Sequence, residues 1–154
     1  METVKITVKE AVNAYEALDS ICNQVVGVQQ DGKPIYKKYQ LGILWPLEDI
    51  KDALEKTYER NREQVIELAK KFGEPHPQQF GRYQVKNEHM PEYSKELEKL
   101  NSAEVSVSFV PVFYETLVDF DVSMNGSEAK PLRKHFIKKG GDVSGDKKPR
   151  KSEE

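Results

Sequence analysis

Between Pro46 and Gly73, the apolar residues Leu47, Ile50, Leu54, Tyr58, Val65, Leu68 and Phe72 recur at helical spacing. Steps of three, four and seven residues place them on one stripe of an α-helix. Glu48, Asp49, Asp52, Glu55, Lys56, Glu59, Arg60, Glu63 and Glu67 make the rest of that surface ionic. Pro46 suits a first helical turn, where its missing amide costs nothing, and Gly73 suits a left-handed cap. Asp49 and Asp52 lie near the positive end of the helix, Lys70 and Lys71 near the negative end. At 1.5 Å per residue, Leu47 to Phe72 spans roughly 40 Å. A domain of this size cannot cover such a length, so part of the helix is expected to project or to pair with a partner, a second copy included. Asn61 sits in the seam and either sets the register of a coiled coil or marks where the helix leaves the core. The latter is preferred, which places Leu47 to Tyr58 in the core and a partner surface beyond Asn61, at Glu59, Arg60, Glu63 and Glu67.

The chain of 154 residues fits one domain, and its 37% hydrophobic content with 32% charged residues implies a modest core under a polar surface. Mean hydropathy is -0.73. A formal net charge of -2 gives no global pull toward nucleic acid or anionic membranes. Cys22 is the sole cysteine, so no intrachain disulfide can form. No apolar run approaches the ~20 residues of a membrane span, and Met1-Glu2-Thr3-Val4-Lys5 lacks the pattern of a signal peptide. These features predict a soluble protein of a reducing cytoplasm.

Val4, Ile6 and Val8 alternate with polar residues as in a strand. Thr7 and Glu10 stand as in a capping box, and Val8, Ala11, Val12, Tyr15, Leu18 and Cys22 follow helical spacing to about Asn23. Residues 25–44 read as a β-hairpin about Asp31-Gly32, the alternative being a flexible insertion. Tyr83 and Val85 form a short strand, Pro91 opens a helix with Tyr93, Leu97 and Leu100 inward, and Val105, Val107 and Phe109 make the clearest strand. The run Val112 to Val122 is ambiguous, reading as a short helix and then a strand at Val118, Phe120 and Val122. Asn125 or Ser127 caps a last helix carrying Leu132, Phe136 and Ile137, interrupted or started late by Pro131. From Lys138 the composition cannot build a core and predicts a disordered charged tail over 138–154. The fold expected is a single α+β domain over 1–137, with the long helix packed on shorter helices and a small, mostly antiparallel sheet.

Catalytic vocabulary is sparse. His76, His89 and His135 lack partners at metal-ligand spacing. Cys22 lies on an apolar helix side with no adjoining base to stabilise a thiolate. Asp119 and Asp121 would share one face of a strand, better read as a solvated edge than as a paired-carboxylate site. The residues predict no catalytic, cofactor or metal site. Lys130, Arg133, Lys134, Lys138 and Lys139, beside Leu132 and Phe136, could contact phosphate. Equally, they could complement the dipole of a docked terminal helix, which is preferred because aromatic residues for base stacking are missing.

The segments Ala53-Leu54-Glu55-Lys56-Thr57-Tyr58-Glu59-Arg60-Asn61-Arg62 and Lys70-Lys71-Phe72-Gly73-Glu74, followed by Gly81-Arg82-Tyr83-Gln84-Val85, come in a familiar order. Tyr93-Ser94-Lys95-Glu96-Leu97-Glu98-Lys99-Leu100 and Glu104-Val105-Ser106-Val107 continue it. Ile6-Thr7-Val8-Lys9-Glu10-Ala11-Val12-Asn13-Ala14 fits at the start and Ser127-Glu128-Ala129 at the end. This arrangement resembles the phage-encoded domain-of-unknown-function family 1617. Residues 25–44 depart from that family's continuous approach to the long helix. The resemblance implies a viral or prophage origin, a host bacterial cytoplasm and no transferable catalytic residues. The expected function is that of a non-enzymatic accessory protein binding a host or phage protein. The alternative is a nucleic-acid-associated protein using the basic C-terminal segment.

Overall fold

A computed structural model describes residues 1–140; of the tail expected over 138–154, residues 141–154 lie outside the described residues. Strand β1 (Glu2–Thr7) leads directly into helix α1 (Val8–Cys22). The junction is the capping box of Thr7 and Glu10: the Glu10 amide donates to Thr7 Oγ1 at 3.1 Å, and the Thr7 amide to Glu10 Oε1 at 2.9 Å. Two amides freed at the helix start are satisfied reciprocally.

Residues 25–44 contain the expected hairpin, β2 (Val25–Val28) against β3 (Pro34–Tyr36). Gly32 closes its turn with φ 87°. Helix α2 then runs Leu41–Phe72, starting earlier than Pro46 and holding that proline inside. Pro46 forfeits one hydrogen bond, to the Gly42 carbonyl one turn back, in a helix position where proline costs about 3 kcal/mol. Against it stands Ile43, fully buried at 0% exposure. Ile43, Leu47, Ile50 and Leu54 follow one another at helical spacing and are all buried, and burying an isoleucine stabilises by about 1.5–3 kcal/mol. Extending the helix back through Pro46 is what puts Ile43 on that stripe.

Gly73 does not adopt the left-handed cap. Its backbone is extended, φ -139° and ψ -168°, and opens β4 (Gly73–Pro75), which pairs antiparallel with β5 (Tyr83–Val85). The glycine is needed for room: a Cβ there would lie 2.8 Å from the Ala69 carbonyl oxygen and closer still to that of Gln84. A 3₁₀ turn (Asn87–His89) precedes α3 (Met90–Ser102), with Pro91 in its first turn as expected. Strand β6 (Glu104–Phe109) pairs antiparallel with β1, Val4 opposite Val107 and Ile6 opposite Val105. Val107 and Phe109 turn inward while Ser106 and Ser108 face solvent, the alternation of a half-buried strand.

After β7 (Val112–Phe113) comes α4 (Tyr114–Asp119), and the strand expected at Val118, Phe120 and Val122 is absent. The helix closes instead in a Schellman arrangement. Val122 N donates to the Leu117 carbonyl at 2.9 Å and Asp121 N to that of Val118 at 3.1 Å, with Asp121 at φ 55°. Asp119 and Asp121 therefore do not share a strand face. Helix α5 (Gly126–Arg133) starts from the Asn125–Glu128 capping box and carries Pro131 within it. It ends before Phe136 and Ile137, which were expected to continue it. Phe136 lies in the following turn, and Ile137 and Lys138 form β8, parallel to β7. Lys138 thus belongs to the folded part.

Helix α1 packs on α2 along one side and on α5 along another. Ala11 and Ala14 are completely buried, and their small side chains let both neighbours approach. Ile6, Leu18, Ile21, Val107, Phe109, Leu117, Leu132 and Phe136 complete one core with the α2 stripe. Among the described residues the architecture is α+β, with a long helix, shorter helices and four two-stranded sheets, three of them antiparallel.

Candidate functional site

The distal half of α2 leaves the core as Asn61 suggested. Tyr58 is half-buried and stacks on Tyr15, ring centroids 4.1 Å apart. Beyond it the only buried residue of the helix is Phe72, at 9% exposure. Val65 and Leu68 are half-buried, on the part of α2 that packs with α3 and the β4–β5 pair. Asn61 itself is half-buried, and its Nδ2 is shielded without a hydrogen-bond partner among the described residues.

Glu59, Arg60, Glu63 and Glu67 are all exposed. With Glu55, the glutamates form a row repeating every fourth residue, so each carboxylate has a like-charged neighbour one turn away. Such pairs destabilise an isolated helix by about 0.2–0.5 kcal/mol each. Glu67 is relieved by Lys70 at 3.3 Å. No ion pair among the described residues engages Glu59, Arg60 or Glu63. Two open depressions border the row. One, of about 410 Å³, is lined by Asp52, Glu55, Lys56, Glu59, Arg60 and Glu63. The other, of about 590 Å³, lies between α2 and α3; Glu63, Glu67 and Glu96 line it together with Arg60, Lys71 and Lys99, and Leu68 and Leu100 contribute apolar surface. The four residues expected to bind a partner are thus brought together, an ionic strip beside an apolar trough.

The five basic residues are divided. Lys130, Arg133 and Lys134 line an open groove of about 850 Å³ between α5 and α1, facing Glu10, Glu16 and Glu128. Lys134 pairs with Glu10 at 3.3 Å, and Lys138, on β8, pairs with Glu2. Lys139 follows β8 and is exposed. Two of the five charges are therefore matched by carboxylates of the same chain, leaving Lys130, Arg133 and Lys139 as the more available cations.

The groove also holds a cluster that no local pattern announces. Glu10 Oε2 accepts from Lys134 and lies 3.5 Å from His135 Nε2, which is shielded from solvent without a hydrogen bond of good geometry. The Thr7 amide, then Lys134 and His135, hold the Glu10 carboxyl at about 2, well below 4.5, against the opposing effect of burial. The capping box identifies Glu10 as a structural residue, but its meeting with His135 comes from packing α1 on α5.

Elsewhere the chemistry is quiet. Burial raises the Cys22 thiol to about 11, which keeps it protonated and a poor nucleophile at neutral pH. Among the described residues, no group of three His, Cys, Asp or Glu side chains is placed to hold a metal ion. No helix of the described residues is long and apolar enough to cross a membrane. No protein-family model, curated protein or solved structure matches the chain.

Proposed function

We propose that this protein is a non-enzymatic phage or prophage accessory protein that binds another protein, host factor or phage component, through the distal face of α2. The observation that carries the reading is the exposed row Glu59, Glu63 and Glu67 beside an apolar trough. Like charges repeated along one helix face are a standing cost, and a lysine- or arginine-rich partner would remove it. Leu68 and Leu100 would supply the apolar contact that a purely ionic surface lacks. The phage origin rests on the ordered segments from Ile6–Ala14 to Ser127–Ala129, and the host cytoplasm follows from that origin.

Affinity purification of the tagged full chain from phage-infected cells tests this proposal. Recovery of a specific protein by the wild type and its loss in the charge-reversed variant E59K/E63K/E67K is the expected result. A partner held equally by the variant overturns the surface. Recovery of nothing beyond an untagged control overturns the binding role.

Nucleic-acid association through Lys130, Arg133 and Lys139 is the second reading, favoured by the exposure of these three cations. Fluorescence anisotropy with DNA and RNA across a salt series separates it, because phosphate contacts weaken steeply as salt rises. Absence of binding at low salt removes it.

A further inference from the structure

The β2–β3 hairpin exposes most of its apolar side chains. Its strands pack chiefly on each other, and Val25, Val26 and Val28 are 51%, 60% and 66% exposed. Ile35 and Tyr36 across from them are exposed as well. Among the described residues no third strand or helix packs extensively on this ribbon, and an isolated two-stranded ribbon is marginally stable in water, so this one gains by acquiring a neighbour.

The two edges of the ribbon differ. The β3 edge carries Pro34, which has no amide to offer, and is flanked by Lys33, Lys37 and Lys38. Lysine and proline are the usual guards against unwanted strand pairing. From Gln24 to Gln30 the other strand has neither a charge nor a proline. Val28 stands opposite Pro34, and the next position is the bonded one, where Gln29 N donates to the Lys33 carbonyl at 2.7 Å. Hydrogen-bonded positions alternate along an antiparallel ladder. The Val28 amide and carbonyl therefore face the open side of β2.

We propose that β2 is a self-association edge, pairing antiparallel with β2 of a second copy to join two hairpins into a four-stranded sheet. The occupant follows from the charges. A neutral, apolar strand meets its own copy without repulsion, whereas an acidic strand from another protein would be drawn to the lysine-bearing edge. In the paired sheet both β3 strands lie outermost, which keeps the lysines of the two copies apart. The guarded outer edges stop growth at two copies, and the bulge between Val25 and Gly27 keeps the open edge short. This dimer is independent of the α2 surface, and each reading can fail alone.

Sedimentation equilibrium of the full chain over roughly 1 µM to 1 mM tests the proposal. The wild type is expected to show a monomer–dimer equilibrium. Val28→Lys, which places a guard on the open edge, should weaken it by at least about 100-fold. Ile66→Lys, on the exposed part of α2, should leave it unchanged. If Val28→Lys loses its circular-dichroism spectrum, a cysteine scan decides. In a Cys22→Ser background, Val26→Cys, Val28→Cys or Gln29→Cys should oxidise to a covalent dimer for the position nearest the two-fold axis. A wild type that stays monomeric throughout overturns the proposal. So does a folded Val28→Lys that dimerises as the wild type does, or a scan without any covalent dimer.

Discussion

Gly73 lies so close to the backbone of Gln84, the neighbour of its β5 partner Val85, that the glycine has no room for a side chain. A Cβ at Gly73 would sit inside van der Waals contact of the Gln84 carbonyl oxygen and 2.8 Å from that of Ala69. Both obstacles are backbone, so neither can swing aside. Gly73→Ala should therefore destabilise the fold by about 2 kcal/mol or more, in the range of overpacking, although its extended φ suits any residue. Urea unfolding checks this prediction, and a neutral substitution would mean that the β4–β5 pair moves freely.

Asp121 closes α4 at φ 55°, a position where glycine carries no steric penalty. Asp121→Gly should stabilise by about 1 kcal/mol. Only the Asp121 carbonyl accepts from Lys37 Nζ, at 2.7 Å, and that contact survives the change. A rise in thermal midpoint is expected, and a fall would assign the aspartate side chain a role of its own.

Asn61 buries an amide nitrogen that no described residue satisfies. Asn61→Leu removes that group and continues the apolar stripe, so a gain of about 1 kcal/mol is expected in denaturant unfolding. A loss would show that the amide holds a partner in solution.

Glu10 contributes a pH dependence of known sign. Its carboxyl titrates at about 2 in the fold and near 4.5 without its partners, chiefly through the Thr7 amide. The stabilisation is complete above the higher value and drains away as pH falls toward the lower one. Thermal midpoints of the wild type and Glu10→Gln should differ at neutral pH and converge near pH 2. A gap that stays constant across that range would contradict the account.

Features set by neighbours in sequence were legible from it. The Thr7–Glu10 box, the Asp31-Gly32 turn and the inward-facing Val107 and Phe109 depend on a few adjacent residues, and all three form. The start of α2 was not legible, because burying Ile43 is a tertiary gain that local preference at Pro46 cannot register. Gly73 misled because glycine serves two needs, positive φ and close approach, and only the fold tells which. Val118, Phe120 and Val122 have strand-like spacing, yet the left-handed Asp121 ends a helix there. The ionic strip at Glu59, Arg60, Glu63 and Glu67 could be read from helical period alone. The Glu10–His135 contact could not, since 125 positions separate its members and only packing joins them.

The proposed binding of another protein at the distal face of α2 is open to a direct test. A photo-crosslinking amino acid placed at Glu63, in phage-infected cells as the proposed function requires, interrogates that face directly. The same substitution at Lys5, exposed on β1, serves as the comparison. A discrete protein adduct from position 63 and none from position 5 is the predicted result. No adduct at 63, or equal adducts from both positions, would contradict it.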